Sequence, residues 1–445
     1  MSKTRACPLA NPTPKMVELW RHYAGCASAN LSEWDTSEVT DMSYLFSEYT
    51  EPIPDISRWD TSKVKTMKGM FKNYHGSLPN MSKWKTYNVK DMSYMFYGTT
   101  SGRIRINNFN TKNVEDMSHM FERCYSLIEI NLSNFDTRKV TNMANMFYDC
   151  LVLRSLNAKK WDTSNVINMS YFFYFCVSLE EIKINFLNLK NLLYADYAFY
   201  RCTDLRKIDL VPWNLKNIIN MESLFRGCTS LTSLDLSYFN TRKVLSMKNL
   251  LGGCVNLKKI KFGRKFDTSK VLDMAYMFNN CASLEYLDLS HFDTSNVIDM
   301  HCIFKGCKSL VSINLSSFNT FDVVDMHEMF SDCSSLISLD LRNFDTHCAT
   351  NMRDMFLFCK SLVSIDLSSF NTQRVRNFDS MFYGCSSLTS LDLRSFNTMH
   401  GPLMDEMFFG CNSLTILKLS DNWMYWGIGA NDIMEKCNNL SIYRC

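Results

Sequence analysis

The sequence predicts an α/β repeat solenoid of about 15 units plus caps, in which short strands alternate with short helices. Three observations predict it. Thirteen cysteines, from Cys124 to Cys437, recur every 26 residues, with a single interval of 27. An aromatic residue opens each unit, as at Trp34, Phe135 and Phe344, with Leu187 the exception. Twelve residues later comes a phenylalanine in 14 of the 15 units, from Phe46 to Phe408, with Leu251 the exception. At such a period no unit buries its own apolar face, so neighbours must stack around a shared core.

The elements follow in order. Residues 1–30 read as an N-terminal helical cap, in which Thr13-Pro14 precedes Met16, Val17, Trp20 and Tyr23 on one side. Residues 31–108 hold three diverged 25-residue repeats that carry Tyr49, Tyr74 and Thr99 where cysteine later stands. Residues 109–420 hold twelve 26-residue leucine-rich-like repeats, and residues 421–445, with Trp423, Tyr425 and Trp426, read as a C-terminal cap. Caps are needed because an open end exposes core and unpaired strand edges.

Two periods alternate within a unit. Leu339 and Leu341 share one side while Asp340 takes the other, the alternation of a short strand. Met352, Met355, Phe356 and Cys359 recur at i, i+3, i+4 and i+7, the spacing of one face of a two-turn helix. Phe344-Asp345-Thr346 between them is turn chemistry. About 4.8 Å per unit predicts a rod roughly 70 Å long.

Composition narrows the function. A net charge of +3 and 21% charged residues give no drive toward nucleic acid or acidic membranes, and 46% hydrophobic residues mark a folded chain. Basic positions such as Lys63, Arg138, Lys139 and Arg374 are scattered without interleaved aromatics, which argues against nucleic-acid binding. No phosphate-binding loop, nucleophile elbow or zinc-protease motif occurs, so no catalytic residue and no cofactor is assigned. Neither a secretory signal nor a run of 18 apolar residues is seen. The expectation is a cytoplasmic or virion-associated protein that reaches a cell surface only by a non-standard export route.

The phrases FDTSNVIDM (292–300), FDTSKVLDMAYMFNNCASLEYLDLS (266–290) and MFYGCSSLTSLDL (381–393) resemble the BspA-like leucine-rich-repeat family, in its mycoplasma-type variant of formerly unknown function. The resemblance spans about residues 31–420. It implies a right-handed, leucine-rich-repeat-like solenoid, with a parallel sheet on one face and short helices on the other. Family members are typically bacterial surface or adhesion proteins, and similar arrays occur in protists and large DNA viruses.

Candidate sites are few. The outward strand column includes Asp209, Asp235, Asp288, Asp340, Asp366 and Asp392. Parallel strands about 4.8 Å apart would set Asp340, Asp366 and Asp392 in an acidic ladder. Three readings stand: Asp suits that exposed position, or the ladder binds a basic protein partner, or it binds calcium. The cysteine column reads as buried structural thiols, with disulfides or a metal as alternatives. His301 and His327 share a column beside Cys302, and His347 and Cys348 follow. Exposed helix residues or a metal cluster both fit, and no metal site is assigned. The function expected is non-catalytic protein–protein interaction through the strand face and its flanking loops. The alternative is a structural spacer or adhesin-like surface or virion element, of unknown oligomeric state.

Overall fold

The computed structural model describes residues 31–158, 161–183, 188–210, 213–421, 423 and 440–444, in two compact units, Met1–Asn217 and Ile218–Cys445. The expected N-terminal cap, most of the C-terminal cap and Cys437 lie outside the described residues.

Each unit is a parallel β-solenoid. In the first, β1 (Glu129–Asn131), β2 (Ser155–Asn157), β3 (Glu181–Lys183) and β4 (Lys207–Ile208) pair in sequence order. In the second, β5 (Ser233–Leu236) pairs with β6 (Lys259–Phe262), and β7 (Tyr286–Asp288) with β8 (Ser312–Asn314). There β9 (Ser390–Leu393), β10 (Ile416–Leu419) and β11 (Ser441–Arg444) form a three-stranded sheet. Every register joins equivalent repeat positions, as in Ile130↔Leu156 and Leu156↔Ile182, all three buried. A one-residue slip would turn those side chains out to water, so burial holds the register. Among the described residues, 31–108 form no named strand. They are joined instead through parallel bridges Asp41↔Thr66, Thr66↔Asp91 and Asp91↔Asp116.

The face opposite the sheet corrects the sequence reading. No α-helix occurs among the described residues; the single helical element is the short 3₁₀ turn Leu31–Glu33. Where helices were expected, each coil runs through consecutive tight turns. In 352–359, Asp354 and Phe358 hold φ of 55° and 56°. Amide hydrogen bonds there alternate in direction. Met355, Leu357 and Cys359 donate to carbonyls three residues back, whereas Asp354, Phe356 and Phe358 donate to Asp379, Met381 and Tyr383 of the next coil at 2.8–2.9 Å. Met352, Met355, Phe356 and Cys359 remain fully buried, so the inward spacing of a helix survives without a helix. The reason is geometric. Helices pack 8–10 Å apart, while hydrogen-bonded strands sit about 4.8 Å apart. A turn run that donates half its amides along the stack keeps the shorter spacing; a helix would spend them all on itself.

Side chains lock the coils together. Phe304, Phe330, Phe356 and Phe382 stack with centroids 5.4–5.8 Å apart and planes within 18°. Such offset aromatic pairs add about 0.5–1.5 kcal/mol beyond area burial. Buried threonines bridge coils: Thr294 Oγ1 donates to the Asn319 carbonyl and accepts from the Asn319 amide, each at 2.8 Å. Corners are made by Asx turns, with the amides of Ser290, Ser295 and His301 bonding to the carboxylates of Asp288, Asp293 and Asp299 at 3.0 Å.

Candidate partner-binding face

The outward strand residues begin with backbone geometry. Inward leucines leave their neighbours facing solvent: Asp235, Asp288 and Asp392 lie within strands, and Asp209, Asp340 and Asp366 hold the equivalent repeat position. Asp209 belongs to the first unit; Asp235, Asp288, Asp340, Asp366 and Asp392 belong to the second. All six are exposed or half-buried.

Their carboxylates are not a bare acidic ladder. Asp340 receives a two-pronged contact from Arg342, with Nε at 2.9 Å and Nη2 at 2.7 Å, and Arg394 holds Asp392 at the same two distances. Lys261 Nζ lies 3.2 Å from Asp235, and Lys418 Nζ lies 3.9 Å from Asp392. Asp288 and Asp366 accept the amides of Ser290 and Ser368 at 3.0 Å. The Arg342 side chain, then its amide, lowers the Asp340 pKa to about 2. Amide and hydroxyl of Ser368 likewise hold Asp366 below its ordinary value. Local pairing thus outweighs the like-charge repulsion between Asp340 and Asp366, since both are held below the ordinary value. Asp235, Asp288, Asp340, Asp366 and Asp392 each also accept the amide two residues on, which turns the corner.

Sequence reasoning missed the apolar component of this surface. Val311, Ile337 and Val363 stand exposed at one position of successive coils, Ile337 at 53%. The Val363 amide reaches the Ile337 carbonyl at 3.3 Å, and Thr389 reaches Val363 at 3.1 Å. On the bridge-forming corner, Leu245, Leu272, Ile298 and Val324 form a second exposed aliphatic row, tied by amide–carbonyl bonds of 2.9–3.0 Å. The signal was in the chain: the phrases VLDM, VIDM and VVDM set an aliphatic residue directly after the buried valine, hence outward.

The cysteine column is internal. Cys307, Cys333 and Cys359 are fully buried, and each thiol donates to a phenylalanine carbonyl of the preceding coil at 3.2 Å. Burial pushes the thiols of Cys254, Cys307 and Cys385 up to about 12. Cys124, Cys150, Cys176, Cys254, Cys281, Cys307, Cys333, Cys359 and Cys385 are free thiols. His301 and His327 are half-buried on the turn run and lie together with Cys302 rather than on an exposed helix. His347 and Cys348 pair with each other at 3.2 Å and do not join that group. No helix among the described residues is long and apolar enough to cross a membrane.

Several solved structures are similar to this chain, three of them as follows. A leucine-rich repeat protein from Bacteroides ovatus is 19% identical, over 75% of this chain and 88% of its own, at a TM-score of 0.42. A leucine rich cell surface protein from Faecalibacterium prausnitzii is 15% identical, over 76% and 82%, at 0.32. The functional domain of InlJ from Listeria monocytogenes, described as including a cysteine ladder, is 13% identical, over 74% and 78%, at 0.19. No curated protein sequence matches the chain. The family model matches at residues 15–129, 98–208, 126–234, 194–309, 221–338, 255–364 and 333–425. With overlapping matches from 15 to 425, the chain belongs to the BspA-like repeat family described as "Mycoplasma protein of unknown function, DUF285".

Proposed function

We propose that the protein is a non-catalytic interaction solenoid that binds a protein partner through its strand face and flanking loops. One observation carries this reading: in the second unit the exposed aliphatic residues Ile337 and Val363 stand three positions before Asp340 and Asp366 in the same coils, and Val311 extends the row by one coil. Apolar contact area beside directional charge is the composition of a protein-binding patch. A partner with basic side chains suits the column, meeting Asp288 and Asp366 and competing with Arg342 and Arg394 for the others. An interface of ordinary size buries about 800 Å² per partner, which a few adjacent coils supply. Buried free thiols suit a reducing compartment, the cytoplasm or a virion assembled there.

The test is affinity capture from the native source, with Ile337→Lys/Val363→Lys and Asp366→Lys as comparison baits of verified stability. A partner retained by wild type and lost by both baits supports the strand-face reading. Equal recovery by all three baits removes it.

The second reading, a spacer or adhesin-like surface or virion element, is favoured by the unbroken bridge ladder from Asn220 to Leu403. Deleting whole repeats from that stretch would impair a spacer in proportion to the length removed, while face substitutions would leave it intact.

A further inference from the structure

We propose that His301, Cys302 and His327 form a zinc-binding site that clips two consecutive coils of the second unit together. One imidazole nitrogen from each histidine and the Cys302 sulfur lie within 4.8 Å of one another, the one such trio among the described residues. Three further observations give the trio the character of a ligand set.

Both imidazoles are held in a definite orientation. His301 Nδ1 lies 2.5 Å from Asp299 Oδ1, and His327 Nδ1 lies 2.7 Å from Asp325 Oδ1. A carboxylate on Nδ1 holds the proton there and leaves the Nε2 lone pair free, the arrangement that orients metal-bound histidines. Each carboxylate is itself fixed, since the same oxygen accepts the amide of its histidine at 3.0 Å.

The coil stack supplies the second histidine. Asp273, Asp299 and Asp325 pair as successive parallel bridges, which brings His301 and His327 into one column with ring centroids 4.6 Å apart and planes at 11°. Tyr276 packs edge-on against His301 from the other side, with centroids 4.6 Å apart.

Backbone geometry presents the sulfur. Cys302 occupies the left-handed turn position, φ 56°, that Tyr276 and Glu328 occupy in adjacent coils, and its amide donates to the His327 carbonyl at 2.9 Å. At this position cysteine is a departure from the repeat, since the buried cysteine of this coil is Cys307. The residue is 1% exposed.

Zn–N distances of about 2.0–2.1 Å and Zn–S of about 2.3 Å place tetrahedral donors roughly 3.3–3.6 Å apart. The trio must therefore close by up to about 1.5 Å, and the two rings must turn out of their parallel stack so that both Nε2 lone pairs meet one ion. Two nitrogens and one sulfur select zinc over magnesium or calcium, which prefer oxygen. Binding replaces the Cys302 thiol proton with the metal and releases that proton to solvent. Three protein ligands leave the fourth position to water.

The experiment is titration of the reduced full-length protein with Co²⁺ and with Zn²⁺. One equivalent of Co²⁺ should give the visible bands of a tetrahedral site and a near-ultraviolet thiolate charge-transfer band, both displaced by Zn²⁺. Cys302→Ser should lose the charge-transfer band. His327→Gln should weaken binding at least 10-fold, and Asp325→Asn roughly 10-fold through loss of ring orientation. Zn²⁺ should raise the Tm of wild type and leave that of His327→Gln unmoved. Should Cys302→Ser not fold, the His301→Gln and His327→Gln pair decides, since both positions are only half-buried. Absence of the bands in wild type, or equal binding by wild type and His327→Gln, overturns the site.

Discussion

A single threonine hydroxyl shows how this chain satisfies its backbone. Thr294 is 1% exposed, yet its Oγ1 both donates to and accepts from the main chain of Asn319 in the next coil. The same bridge recurs at Thr111 with Asp136 and at Thr241 with Asp267. Thr294→Val keeps shape and volume but strands an amide and a carbonyl. It should cost about 2–3 kcal/mol in denaturant unfolding, the low end of about 1–3 kcal/mol for each of the two groups, because Asn319 is itself exposed. A loss below about 0.5 kcal/mol would mean that water replaces the hydroxyl. The threonine was legible in the sequence as turn chemistry; its partner was not, because that partner lies 25 residues away.

At the scale of the element, the turn run decides how coils meet. Two residues in each coil adopt the left-handed region, as at Asp354 and Phe358, or at Asn249 and Gly253. Non-glycine residues there cost roughly 1–2 kcal/mol each, which the inter-coil hydrogen bonds offset. Gly253 has φ 77°, and a Cβ added there would meet only Gly227 atoms at 3.5 Å, an ordinary contact. Gly253→Ala should therefore lower stability by about 1 kcal/mol through backbone conformation alone, read as a Tm shift. A neutral result would show that the turn tolerates an L side chain without strain. The i, i+3, i+4, i+7 pattern that suggested a helix reports only which side chains face inward. Alternating left- and right-handed turns produce the same pattern, so periodicity could not separate them.

Across the molecule, many Asp carboxylates act as turn acceptors, and their titration contributes to its acid sensitivity. Asp288, Asp340, Asp366 and Asp392 all have folded-state pKa values below the ordinary 3.8, held down by Ser or Arg partners. Because the folded state binds protons less readily than the unfolded chain, their contribution is complete above about pH 4. It is lost as pH falls toward about 2, where Asp340 titrates. A Tm series from pH 6 to pH 2 should fall steeply below pH 4. The triple variant Asp340→Asn/Asp366→Asn/Asp392→Asn should flatten that fall while preserving the Asx turns. An unchanged slope would assign the acid sensitivity to other groups.

The sequence by itself determined the repeat, its register and which side chains are buried, because a strict 26-residue period admits a single inward set of Phe, Met, Leu and Cys positions. It also marked the outward column to which Asp340 and Asp366 belong. Only the tertiary structure decided how that column behaves and what backs the sheet. Arg342 reaches Asp340, and His301 meets His327, through torsions and coil-to-coil contacts that no linear pattern encodes. Turns replace helices for a related reason: the spacing between hydrogen-bonded coils, a property of the stack and not of any one repeat, is too short for a helix to occupy.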